Sequence, residues 1–471
     1  MFCSFGATYD EVVPKQNQDM LVPLRYIVCA VVAFGTACSQ AMAQAAISPD
    51  TLTLEQSIAL ALEHNRNVQQ SRIQAQSEAI HLRQAKLNLL PSLSANLDHG
   101  YSQGRDIDPT TNQYVDKNFT SGGHSLNSSL VLFDGLRMFR NITQQAHAYR
   151  ASLLDEQLME ERVALDVTTA YINVLTAKDM VAQIDSQVAV TLRQVERHTI
   201  LFEEGSVPPG DYYDLKGQYA SDLNSLNDAK NTFNERLFSL FRLLNLPYNQ
   251  NVSLMPLPAL PLSAAPVSDA NTLYQTAAER LGLIKAADHR QKQAEFSLKA
   301  ARSSYFPTLS VGGRLSTNYA NNGMGNYAYY DQIQNNLGRS LSFSLSIPIF
   351  SRFQVRNNVA QAKLSLLDAE QVALTRRNEL QQTTHQVLFN LEAAKERYKN
   401  RVEQVTLYKE SFRIAEVRFN AGAINSVDFL IAKYKMDNAN ANLVIARYQW
   451  HLQQRIVDYY LGALPVDKAA D

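Results

Sequence analysis

The sequence predicts a mainly α-helical chain with a small set of two-faced β-strands, built by duplicating one unit in tandem. Three observations predict it. Motifs recur at a nearly constant spacing, two very long stretches lack both Gly and Pro, and several segments of about ten residues alternate apolar with polar side chains.

The repeat comes first. Leu90-Pro91-Ser92-Leu93-Ser94 returns as Phe306-Pro307-Thr308-Leu309-Ser310, Leu132-Phe133 as Ile349-Phe350, and Phe202-Glu203-Glu204-Gly205 as Phe419-Asn420-Ala421-Gly422. Asp211 returns as Asp428. Such a constant spacing means two copies of one unit, 44–246 and 268–462, joined by a proline-rich linker over 247–267 and followed by a tail over 463–471.

Taken in chain order, residues 1–43 read as a secretory leader. Arg25 precedes an apolar run, Ala41-Met42-Ala43 supplies a cleavage pattern before Gln44, and Met20 is an alternative start. Gly35-Thr36-Ala37-Cys38 is a rival lipoprotein site, weakened by Gly35 standing where Leu is usual. Cys3, Cys29 and Cys38 all lie in this segment, so the cleaved chain needs no disulfide. No later stretch is apolar enough for a transmembrane helix.

Each copy then reads helix, strand, loop, strand, very long helix, turn, helix. Shorter helices are expected over 53–90 and 218–245, and over 268–305 and 427–461. Residues 136–204 and 353–421 contain no Gly and no Pro. A helix of that length reaches roughly 100 Å. Val181, Ile184, Val188, Leu192 and Val195 set a coiled-coil seam, and Gly205 and Gly422 close the two long helices. Pro91 and Pro307 end the helices before each first strand.

The strands bear on the membrane. Ser340 to Ile349 places Leu341, Phe343, Leu345, Ile347 and Ile349 on one face and four serines with Pro348 on the other. Residues 92–102 and 308–319 alternate similarly, and 124–134 less regularly. A half-buried sheet in a soluble protein alternates in the same way. Four strands cannot close a barrel, and an open edge is untenable in lipid. The sheet is therefore soluble, or chains pool strands; two chains give eight, and three give twelve with room for water. The strand-linking loops, 103–123 and 320–337, are rich in Gly, Asn, Asp and Tyr.

On Leu54-Glu55-Gln56-Ser57-Ile58-Ala59-Leu60-Ala61, Asn88-Leu89-Leu90-Pro91-Ser92-Leu93 and the run from Arg418 to Leu430, with the duplicated element order, the chain resembles the TolC-like outer-membrane channels of efflux and type I secretion over nearly all of 50–462. The resemblance implies a homotrimer whose twelve-stranded outer-membrane β-barrel continues as a long periplasmic α-helical barrel. It also implies a periplasmic adaptor and an inner-membrane pump or ABC transporter as partners, with the energy supplied by the pump. The family closes its periplasmic end with the hairpin turns, here 203–214 and 420–430. Asp428 matches an aspartate that lines the narrowest point and favours cations; Asp211 is its counterpart in the first copy, and both also suit helix caps. Arg418 and Phe419 match residues before the turn glycine. Ile431 and Ile424 stand where some members carry an acid and a latching arginine. The tips around Phe202, Gly205 and Gly422 are the expected adaptor-docking surface.

Other chemistry is thin. The formal net charge of −1 argues against nucleic acid. Gly100-Tyr101-Ser102-Gln103-Gly104 fits a nucleophile elbow only if a helix follows, and turn-forming residues follow instead. Nine scattered histidines form no metal motif, and no phosphate or dinucleotide loop occurs, so no enzyme activity and no cofactor are expected. The competing reading is a non-conducting periplasmic coiled-coil spacer.

Overall fold

The computed structural model describes residues 51–462 except 108–111, 117–118, 259, 261–268 and 322–327. The leader and the tail lie outside the described residues. In chain order the elements are β1 (Thr51–Leu52), α1 (Leu54–His64), α2 (Arg66–Leu87), β2 (Ser92–Ser102), β3 (Arg105–Ile107), β4 (Tyr114–Asp116), β5 (Phe119–Phe133), α3 (Arg137–Glu203) and α4 (Pro209–Leu244). They continue as β6 (Ser253–Leu254), α5 (Ala270–Arg280), α6 (Gly282–Ser303), β7 (Thr308–Ala320), α7 (Tyr329–Asn335), β8 (Gly338–Ser346), α8 (Gln354–Asn420) and α9 (Ser426–Tyr460). Corresponding helices match in length: α1 and α5 have 11 residues, α2 and α6 have 22, and α3 and α8 have 67.

Several expectations change at element boundaries. The helix expected over 53–90 is two helices, because Asn65 adopts an extended backbone. Its side chain accepts the Asn67 N–H at 2.9 Å and donates to the Leu243 carbonyl at 2.8 Å. The helix expected over 268–305 breaks likewise at Leu281. α4 starts at Pro209, well before 218; proline is tolerated in a first helical turn, and Gly210 and Gly217 are absorbed. The strand-linking loops hold the short β3–β4 ladder and α7, and the proline-rich linker holds β6, which pairs in parallel with β1.

β2, β5, β7 and β8 form one antiparallel sheet in that order, leaving β2 and β8 at its edges. The registers put Leu93, Leu97, Leu126, Val311, Leu315, Leu341 and Phe343 on one face and Ser92, Ser94, Asn96, Ser310, Ser342 and Ser344 on the other. β5, whose second half alternates less cleanly, is the longest strand and slips register between Val131 and Phe133. The string around Ser102 lies at the end of β2 and is followed by β3, so it forms no strand–turn–helix elbow.

The chain turns from strand into long helix at Asp134-Gly135-Leu136. The buried Asp134 carboxylate accepts the Met138 N–H, while Gly135 and Leu136 take φ +70° and +67°. A Cβ on Gly135 would lie 2.8 Å from the Phe306 Cβ.

The main core gathers where α3 meets α1 and α4. Val163, Val167, Tyr171, Val174 and Leu175 recur at helical spacing against Leu54, Ile58, Ala61, Leu237, Leu240 and Phe241. The Tyr171 hydroxyl faces the Leu52 carbonyl at 2.9 Å and the Met255 carbonyl at 2.7 Å, tying both β1 and the linker to α3. α8 buries far less of itself. Leu364, Leu374, Phe389, Leu407 and Val417 on it remain exposed.

Candidate functional site at the hairpin turns

The two hairpin turns begin identically. Gly205 (φ +69°) donates to the Phe202 carbonyl and Ser206 to the Leu201 carbonyl, at 3.0 and 2.8 Å. Gly422 (φ +73°) donates to the Phe419 carbonyl and Ala423 to the Arg418 carbonyl at the same two distances. These paired bonds finish each long helix, with glycine in the left-handed position.

The return helices then differ. α4 starts at Pro209 with Asp211 in its first turn. α9 is capped by Asn425, whose side chain accepts the Asp428 N–H at 2.9 Å. Asp211 does not cap its own helix. Its Oδ1 accepts the backbone N–H of Ser426 at 3.0 Å, and Asp214 Oδ2 accepts the Ser426 hydroxyl at 2.8 Å. Two carboxylates of the first copy thus complete the α9 N-terminus of the second, where negative charge is favoured by the helix dipole.

Beneath this clasp lies an aromatic stack. His198 faces Phe419 with ring centroids 4.7 Å apart, and Phe419 faces Phe429 at 4.6 Å. Leu215 and Phe429 are fully buried beside them, and Ile424 and Leu430 pack on the cluster. Ile424 is therefore part of an apolar plug joining both hairpins. Arg197 donates to the Asn420 carbonyl at 2.8 Å, closing the end of α8 from α3.

The predicted residues separate into four groups. Phe419, Asp211 and the two glycines build the junction. Asp428 is exposed, with no hydrogen bond or ion pair on its carboxylate among the described residues, and Val427 and Ile431 flank it in the open. Arg418 contributes its carbonyl to the turn, while its exposed guanidinium makes no ion pair among the described residues. Phe202 stacks on Tyr212 at 4.6 Å, beside exposed Tyr213, and Lys216 stands 5.1 Å over the Tyr212 ring.

Farther along the hairpins lies a charged group not foreseen from sequence. Lys433 Nζ lies 3.0 Å from Asp222 Oδ2 and 2.6 Å from Asp437 Oδ2, with its side chain 4% exposed. Thr191 and Gln218 donate to Asp222 at 2.5 and 2.7 Å. Burial holds the Asp437 carboxyl above its ordinary pKa, partly offset by Lys433. The i, i+4 spacing of Lys433 and Asp437 is visible in the sequence; Asp222, distant in the chain, is not.

Two helical hairpins clasped at their turns and carried on a two-faced, four-stranded sheet make up the fold of the outer-membrane channel proteins. The Campylobacter jejuni CmeC outer membrane channel superposes with a TM-score of 0.73 at 17% identity, over 89% of this chain and 87% of that one. The open state of the Neisseria gonorrhoeae MtrE outer membrane channel gives 0.69 at 20% identity, over 88% and 91%. The chain belongs to the outer membrane efflux protein family, whose model matches residues 57–246 and again 273–463. It is 25% identical to the outer membrane protein TolC of Escherichia coli K12 over 388 residues, covering 81% of this chain and 76% of the relative. It is an outer-membrane protein of the efflux-channel class.

Proposed function

We propose that three copies pool their sheets into a twelve-stranded barrel and their hairpins into a helical tube. The assembly is a passive exit duct for small molecules, secreted polypeptides or both. The observation that carries this reading is the sheet: one face leucine-rich, the other serine-rich, and both edges unpaired among the described residues. An unpaired edge in hydrocarbon costs several kcal/mol per backbone group, so the apolar face can meet lipid only when neighbouring chains close the wall. The serine-rich face then lines water, a lumen of small hydroxyls that suits varied cargo. The exposed apolar side chains of α8 supply contacts for adjacent chains.

In this assembly the hairpin turns form the inner mouth. The free Asp428 carboxylates ring it and gather cations. Asp211, Asp214 and Ser426, over the aromatic plug, hold it narrow. Phe202, Tyr212 and Tyr213 present an aromatic platform to a periplasmic adaptor, through which an inner-membrane pump or ABC transporter drives cargo.

Planar-bilayer recording of the purified protein tests the proposal. The expected result is small cation-selective openings, blocked by multivalent cations from the hairpin side, with block and selectivity weakened in Asp428→Ala. Unchanged selectivity in that variant refutes the carboxylate ring. Folded trimers that never conduct, even after the turn contacts are removed by mutation, favour the spacer reading.

A further inference from the structure

The apolar face of the sheet is not uniformly filled. Its cross-strand rows can be read from the register. One row is Leu93, Ser128, Gly313 and Leu341; the next, farther from the helices, is Ala95, Leu126, Leu315 and Arg339. The small pair Ser128 and Gly313 leaves a groove of about 420 Å³ between the leucines of the edge strands, with Leu126 and Leu315 along its side.

Gly313 has no structural need to be glycine. Its φ is not positive, and a Cβ there would stand in open space. Gly312, its neighbour on the opposite face, differs: a Cβ there would meet the Ser342 Oγ at 3.2 Å. The missing side chain at 313 therefore serves to keep the groove empty.

At one end of the groove stands Arg339, exposed and without an ion pair or side-chain hydrogen bond among the described residues. The strand positions on this face from Leu93 to Tyr101, Thr120 to Leu130, Leu309 to Tyr319 and Arg339 to Leu345 include no Asp or Glu. Its depth is informative. Ile349, three residues past the end of β8 at the helical end of the apolar stripe, lies ten positions along the chain from Arg339. At about 3.3 Å per residue and a barrel tilt of about 40°, they span roughly 25 Å, the height of the lipid-facing band of such barrels. Arg339 thus stands at the outer boundary of the hydrocarbon, at the level of outer-leaflet phosphates.

We propose that this groove seats an acyl chain of a phosphorylated outer-leaflet lipid whose phosphate is held by Arg339, an inference that rests on the barrel reading above. Guanidinium suits this task, since it matches phosphate with paired donors and is weakly hydrated. The groove supplies shape and Arg339 supplies charge, so each chain holds one lipid at a fixed place on the wall.

The test uses the full chain, wild type, Arg339→Gln and Gly313→Leu, reconstituted in nanodiscs containing equal amounts of lipid A and phosphatidylcholine. Native mass spectrometry of the released complexes reports oligomeric state and retained lipid together. Wild-type trimers are expected to retain one lipid A per chain and little phosphatidylcholine. Arg339→Gln lowers lipid A retention roughly tenfold, the order of one charge-assisted contact. Gly313→Leu lowers it comparably with trimer mass and melting temperature unchanged, because the added side chain fills open space. Full retention in Gly313→Leu overturns the seat, showing that Arg339 acts only as a surface charge. Phosphatidylcholine carries a phosphate that its choline neutralises, so equal retention of the two lipids in wild type overturns Arg339 as a holder of uncompensated phosphate charge. Absence of trimers overturns the barrel reading and this inference with it.

Discussion

Lys433→Met tests whether buried charge holds the two hairpins together. Lys433 is one ammonium between two carboxylates, at 3.0 Å from Asp222 and 2.6 Å from Asp437. Asp222 lies on α4 and Asp437 on α9, so removing the cation leaves like charges facing across that junction. Stripping one partner from a buried pair costs about 3–5 kcal/mol. Proton uptake by Asp437, whose pKa burial already raises, limits the cost to about 3 kcal/mol near neutrality. Three kcal/mol is roughly a 150-fold change in a local opening equilibrium. Hydrogen exchange of peptides covering 215–225 and 430–440, each compared with wild type at the same pH, reads it directly. An acid with a raised folded pKa stabilises the fold below its unfolded value and loses that contribution as pH rises through the folded one. The defect in Lys433→Met is therefore smaller at pH 5 than at pH 7. Adding Asp222→Asn restores at least half the protection, because Thr191 can still donate to the amide oxygen. A change below about threefold, or a defect independent of pH, refutes the charge argument and leaves only lost stem packing.

Three further outcomes are expected. Asp211→Ala with Asp214→Ala leaves both Ser426 donors without their carboxylate acceptors, weakening the hairpin clasp by about 2 kcal/mol and raising single-channel open probability; unchanged gating refutes the latch. Burial, reinforced by Arg447 and Arg455, pushes His451 down to about 4, so the stability it contributes is present above pH 6.5 and lost as pH falls toward 4; at most about 3 kcal/mol disappears there, and His451→Gln flattens that part of the acid-denaturation curve. Gly135→Ala costs more than about 3 kcal/mol, because the new Cβ meets Phe306 and the Ser303 carbonyl in a left-handed turn. Gly205→Ala, with the same φ sign but open space around it, costs only about 1 kcal/mol, and thermal melts of the two separate crowding from backbone strain.

What the sequence discloses here is what periodicity and punctuation encode. The two long helices are legible because 136–204 and 353–421 carry no helix breaker, and their closure because Gly205 and Gly422 end them. The faces of β2, β7 and β8 are legible from alternation. Asn65 is not, because an asparagine inside a helical pattern breaks the helix only once the Leu243 carbonyl is there to take its amide. The site divides in the same way. Phe419 and Asp211 stand out by their repeat positions. That Asp211 reaches Ser426 in the other copy, or that His198 lies against Phe419, follows from tertiary packing that no local pattern records.

The free edges β2 and β8 also bear on timing. A protomer that folds alone exposes a row of unmatched amides and carbonyls along each edge, and no rearrangement within one chain can pair β2 with β8 around four strands. In the trimeric barrel proposed above, insertion and oligomerisation therefore cannot be successive steps. In that assembly the wall enters the bilayer as the last seam is sewn, and a solitary subunit stays outside the hydrocarbon. If that assembly holds, channel formation depends on subunit concentration as well as on folding speed.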